Sequence, residues 1–156
     1  MQTCVSVDLG NMINLFLPAE RYNRVTFTTR ILPACLHTGT PLPDSGFTLT
    51  DEDGKTTMQR VSQEECDRTY PSRSSHHPAG IKHDQEICSR QVNTTVGCVS
   101  WYYGSPLTLD NGNRVACTHL LVGLESDYET SPCMVTNTRI SSFIPWIEGI
   151  VWPEGG

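Results

Sequence analysis

The sequence predicts an all-β fold closed by one C-terminal α-helix, and three observations carry that prediction. Twelve glycines and ten prolines, with only 18% charged residues in 156, suit a loop-rich β protein better than a helical bundle. Short apolar stretches in partial alternation are separated by turn residues, with strong hairpin signals at Asp51-Glu-Asp-Gly54 and Asp110-Asn-Gly-Asn113. Only the last stretch, from Ser141 to Val151, repeats its apolar residues at helical spacing.

Taken in order, Asn11-Met-Ile-Asn-Leu-Phe-Leu17 is a short apolar run that suits a buried strand. Arg24 to Leu32 carries β-branched residues in partial alternation before Pro33. Pro41-Leu-Pro-Asp-Ser-Gly46 is a turn-rich link. Phe47 to Thr50 and Thr56 to Val61 read as paired strands across the first hairpin signal, and the polar stretch from Pro71 to His77 reads as an exposed loop. Pro106 to Leu109 and Val115 to Val122 flank the second hairpin signal, and Gly123 to Ser126 continues that strand. In the final helix Ser141 or Ser142 can cap, Pro145 is tolerated in the first turn, and Phe143, Trp146, Ile147, Ile150 and Val151 share a face. Pro153 and the terminal glycines stop it.

At this length one domain with a real core is expected. The formal charge of −6 argues against a nucleic-acid or anionic-membrane partner, because no basic patch is present to release counterions. No run approaches the roughly 20 apolar residues of a membrane span, and Met1-Gln-Thr-Cys4 does not open like a signal peptide. Seven cysteines fit neither paired zinc knuckles nor a redox motif, so a disulfide framework in an oxidising compartment is the reading. Secreted chemistry without a leader, and an odd cysteine, both point to a missing N-terminal part. His76, His77 and His83 lack a positioned carboxylate, so a solvated loop rather than a metal site is expected, and no cofactor is implied.

Cys98-Val-Ser-Trp-Tyr-Tyr-Gly-Ser-Pro-Leu107 and Thr138-Arg-Ile-Ser-Ser-Phe-Ile-Pro-Trp-Ile-Glu148 resemble the second half of a trypsin-like serine protease domain. In that family a cysteine leads into Gly-Asp-Ser-Gly-Gly-Pro-Leu. The resemblance runs from about Asn11 to Val151, and residues 1–156 are read as one partial domain of this type. It implies a Greek-key β-barrel, the second of the family's two, with a remnant of the first and the C-terminal helix. Double barrels of this kind usually need roughly 200–250 residues. The closest flavour is that of arthropod serine proteases and their inactive homologues. The resemblance also implies the disulfides Cys66–Cys88 and Cys98–Cys133, and a bond from Cys35 to a missing N-terminal segment. Cys4 and Cys117 either pair with each other or stay free.

The family's chemistry rests on three side chains: a serine attacks, a histidine takes its proton and an aspartate fixes the imidazole. By resemblance the aspartate position is Met12, which cannot orient an imidazole, and none of the five histidines lies in the family's histidine motif. The nucleophile position is Tyr103, a phenol with an ordinary pKa of about 10. Tyr102 replaces the aspartate of the activation switch, and Trp101 replaces the glycine that helps build the oxyanion hole. One extra residue separates Cys98 from Gly104, and Val96 leaves the specificity pocket without an acidic base. Tyr128 stands at a wall glycine; only Ser126 matches the family's cleft serine.

These losses imply a non-catalytic serine protease homologue, a secreted binding or cofactor module of the kind that assists arthropod immune cascades. Its implied partner is a protein, such as a protease or zymogen. Two alternatives stay open: an active serine endopeptidase represented by an incomplete sequence, and a truncated gene model. Trp101-Tyr102-Tyr103 reads either as core filling of a dead cleft or as an exposed aromatic anchor, with Ser126 and Tyr128 beside it. Asn93-Thr-Thr95 is a glycosylation sequon on an expected surface loop.

Overall fold

The structure is a computed structural model and describes residues 4–5, 34–39, 41–51, 54–71, 77–95, 97–98, 102–110 and 119–151. Met12, His76, Val96, Trp101 and Cys117 lie outside them, as do the strands expected at 11–17 and 24–32. The elements run β1 (Cys4–Val5), β2 (Ala34–Leu36), β3 (Ser45–Asp51), β4 (Gly54–Arg60), α1 (Gln63–Thr69), β5 (Glu86–Gln91), β6 (Pro106–Asp110), β7 (His119–Glu129) and β8 (Met134–Arg139). A 3₁₀ turn (Ile140–Phe143) then leads into α2 (Ile144–Val151).

The first hairpin forms where the turn residues predict it. Gly54 adopts a positive φ of 135°, and its amide donates to Asp51 Oδ1 at 3.0 Å, an arrangement that a Cβ would strain. β3 then pairs with β4 on one side and β6 on the other, β4 with β5, β5 with β8, and β6 and β8 both with β7. Those six antiparallel strands close on themselves, so none of them leaves an open edge. Because β6 returns beside β3 rather than β5, the connection is a Greek key. β2 lies outside this ring and pairs in parallel with β7, with Cys35 opposite Leu120.

Alternation along the strands divides the apolar residues among three clusters. Inside the ring, Phe47, Leu49, Met58, Ile87, Leu107, Val122 and Val135 form the barrel core. Leu49, Met58, Leu107 and Val122 are wholly buried, which contributes about 1.5–3 kcal/mol each. On the outer face, Leu36, Leu121, Leu124, Ile140 and Ile147 hold β2 and α2 against β7. Under α1, Val61, Cys66, Tyr70, Cys88 and Met134 make a third group.

α1 starts at Ser62, whose hydroxyl accepts from the Glu65 amide at 3.2 Å, as the Ser-x-x-Glu pattern dictates. Glu64 and Arg68 add an i,i+4 pair at 3.0 Å. Both disulfides implied by the resemblance are present: Cys66–Cys88 and Cys98–Cys133, with Cα atoms 5.9 and 5.3 Å apart. Each stabilises by a few kcal/mol, roughly, through restriction of the unfolded chain.

Three expectations are corrected. Cys35 is itself disulfide-bonded in this chain, so it is not held for a missing segment; the backbone of Cys4 stands opposite it in the antiparallel β1–β2 register. Neither serine caps α2, because a 3₁₀ turn intervenes and the Ser142 hydroxyl instead donates to the Asp84 carbonyl. With that turn in place the buried stripe runs through Ile140 and Ile147, and Trp146 is left 47% exposed.

Candidate functional site

The segment that carries the family-like motif is a tight turn leading into β6. The Ser105 amide donates to the Tyr102 carbonyl at 3.0 Å, and Gly104 has φ of 88°. A positive φ at the third position defines a type II turn and explains why glycine stands there. Two bonds fasten this turn to β7: Gly104 N to Glu125 O at 2.8 Å, and Glu125 N to Ser105 O at 2.9 Å.

The second position of that turn is Tyr103. Its side chain is the most open of the large hydrophobic residues described, at 63%. The Tyr128 ring lies beside it, with centroids 6.3 Å apart and planes inclined at 51°, within the range of a favourable aromatic pair. Tyr102 and Tyr128 are also exposed. For Tyr102 and Tyr103 the choice between core filling and exposed anchor therefore falls to exposure.

The hydroxyls nearby are committed. Ser105 is buried, and its Oγ donates to the Tyr102 carbonyl at 2.7 Å. Ser126, the one family-like cleft residue, donates to the Thr136 carbonyl at 3.1 Å and lies 3.0 Å from Thr136 Oγ1. Neither hydroxyl meets an imidazole in these bonds, so neither has the activated geometry of a nucleophile.

Beneath this surface β7 buries acidic groups that the sequence reading missed. Glu125 and Asp127 are both buried. Burial, with Asp51 and Asp127 adding repulsion, pushes the Glu125 carboxyl up to about 8. The Tyr102 amide draws it back only partly, since neither carboxyl oxygen closes a hydrogen bond. At neutral pH the group is mostly the neutral acid.

His77, expected on a solvated loop, is buried instead. Its Nδ1 is 3.5 Å from Glu86 Oε1, and its Nε2 is 3.3 Å from Asp127 Oδ2. The Tyr70 ring meets it edge-on at 5.2 Å, and the Tyr70 hydroxyl donates to the Met134 carbonyl at 2.9 Å. Burial, followed by the fields of Asp127, Glu129 and Glu125, raises the Tyr70 phenol well above its ordinary value. A carboxylate on each side fixes the imidazole, and the neighbouring hydroxyl is spent on a carbonyl; the cluster fills polar space. His83 is likewise paired, with Asp67 at 2.8 Å. Period two gives no signal for the two carboxyls of β7: a bulge at Ser126 sets Glu125 opposite Asn137 and Asp127 opposite the adjacent Thr136, so the ordinary alternation of the strand is broken between them.

Asn93 lies exposed after β5. Its Oδ1 accepts from the Thr95 amide at 3.0 Å and the Thr95 hydroxyl at 2.7 Å, an Asx turn across the sequon.

Neither a protein-family model nor a curated protein matches the sequence. Solved structures do match the fold. One is a scabies mite inactivated protease paralogue, 19% identical with a TM-score of 0.51, covering 76% of this chain and 52% of that one. Another is kallikrein-related peptidase 10, 18% identical with a TM-score of 0.60, covering 85% of this chain and 63% of that one. The fold is that of trypsin-like serine proteases, and this chain spans between half and two thirds of those two structures.

Proposed function

We propose that this chain is a secreted, non-catalytic serine protease homologue that binds a protein partner, a protease or zymogen, through the face bearing Tyr103 and Tyr128. One observation carries the proposal. The turn position that the resemblance assigns to the nucleophile presents a phenol 63% exposed, with a second tyrosine ring beside it. Rigid aromatic rings bury much area at little entropic cost, which is why they dominate binding hot spots. The Ser126 hydroxyl, which the resemblance assigns to the cleft, is spent on Thr136. That one structure of the same fold is described as an inactivated protease paralogue supports a reading in which the barrel is kept and the chemistry is not. The two disulfides suit an oxidising compartment.

Two measurements on the full natural chain test this. A serine-directed fluorophosphonate should leave it unlabelled, and peptide esters should not turn over. Stoichiometric labelling, blocked by serine protease inhibitors, would instead establish the endopeptidase reading. In parallel, Tyr103→Ala and Tyr128→Ala should each weaken binding to a zymogen partner by about 2 kcal/mol. Unchanged affinity in both variants would remove this face from the interface.

A further inference from the structure

On the side of the barrel next to α1 lies a cavity of about 500 Å³ that the proposed interface does not use. Its walls include Arg60 from the end of β4, Arg139 from the end of β8, and the Cys66–Cys88 disulfide. Like charges from two strands converge there, an arrangement that costs energy unless something offsets it.

The acidic residues of the cavity do not offset it fully. Glu86 Oε1 faces His77, and its Oε2 accepts from the Lys82 amide at 2.8 Å. Asp44 pairs with Arg60 Nη2 at 2.5 Å, but its side chain is 89% exposed. Arg139 spends Nη2 on the His83 carbonyl at 3.2 Å, while its Nε is buried without a hydrogen-bond partner. Burial and then the nearby Arg60 lower the proton affinity of Arg139, against the opposing field of Asp84. His83 completes the wall with its Nε2 held by Asp67. A buried donor left unused on a charged group is costly.

We propose that this cavity binds a tetrahedral oxyanion, sulfate or phosphate, between the guanidiniums of Arg60 and Arg139. A dianion matches two fixed cations, and the planar guanidinium forks present parallel N–H donors to its oxygens. Asp44, mostly in water, is the group the ligand displaces from Arg60. The chain's net charge of −6 does not prevent this, because charges beyond about 8–10 Å are largely screened at physiological salt.

The test is the midpoint of thermal unfolding of the intact chain, titrated with inorganic sulfate up to about 20 mM at constant ionic strength set by chloride. Sulfate excluded from the surface stabilises every variant alike, so the difference between variants is the readout. Wild type should gain about 2 °C or more beyond Arg139→Gln, following the saturable form of ligand linkage. Asp44→Asn, which removes the competing carboxylate, should reach half its shift at a sulfate concentration several-fold lower than wild type. A sulfated monosaccharide run beside inorganic sulfate separates an ester ligand, which then binds more tightly, from the free ion. Identical sulfate responses in wild type, Arg139→Gln and Asp44→Asn would overturn the site. Should Arg139→Gln not fold, Asp44→Asn against wild type decides, and an unshifted midpoint concentration overturns it.

Discussion

From Leu121 to Leu124, strand β7 buries Leu121, Val122 and Leu124 among apolar neighbours; from Glu125 to Asp127 it buries two carboxyl groups. Gly123 stands among the first group, where an added Cβ would lie 3.0 Å from Asn137 Cβ, so β7 and β8 approach closely there. The apolar half faces the barrel core on one side and α2 on the other. The acidic half lies under the Tyr102–Ser105 turn and against His77. Apolar burial stabilises the fold wherever it occurs. Buried carboxylates stabilise nothing unless paired, so their presence marks the half of the strand where the fold has departed from pure packing. The candidate interface sits above that half.

Three measurements bear on this contrast. The heaviest loss belongs to the apolar half. Leu121 is wholly buried, so Leu121→Ala should lower stability by about 2–5 kcal/mol. The loss should be the same at pH 5 and pH 8, because no titrating group is involved. A loss below about 1 kcal/mol would show that β2 and α2 are not packed on β7 as described.

Next comes the acidic half, where the effect depends on pH. Glu125 carries the ordinary value of 4.5 when unfolded and about 8 when folded. Across that window the folded state keeps a proton that the unfolded state has lost. Stability is therefore greatest, as far as this group decides it, below about 4.5, and falls as pH rises toward 8. Glu125→Gln should flatten that slope and stabilise the protein above pH 8 by on the order of 3 kcal/mol once solvent screening is allowed for, with no gain at pH 4. Denaturant midpoints across this range check it; an unaltered slope would mean that Glu125 is solvated.

The surface above should matter least for stability. Tyr103→Ala removes an exposed ring, so its unfolding midpoint should correspond to a change within about 0.5 kcal/mol. Paired with the binding measurement, this separates an anchor from a plug. A loss of 3 kcal/mol or more, roughly the cost of a core cavity, would show that the ring packs inward.

Local patterns account for much of this molecule. Asp51 to Gly54 forms its hairpin because a glycine with positive φ and an aspartate acceptor close the turn from within four residues. Ser62 and Glu65 start α1 for an equally local reason. The pairing of Cys66 with Cys88 and of Cys98 with Cys133 followed from resemblance, and the barrel brings those sulfurs together. The position of Tyr103 was readable, but its exposure was not, since the same three aromatics could have filled a pocket.

The losses at the triad positions are what the resemblance implies, whereas residue type and short spacing were enough to place the first hairpin turn and the strands β3, β4, β6 and much of β7. Which polar residues meet was beyond their reach. His77 lies 50 positions from Asp127 and Arg60 lies 79 from Arg139, and closure of the ring through β7 and β8 is what sets each pair together. The 3₁₀ turn before α2, and with it the exposure of Trp146, likewise depends on how the chain leaves β8. Burial of a histidine, a carboxyl or a guanidinium is a property of what packs over it, and that covering comes from elements distant in the chain.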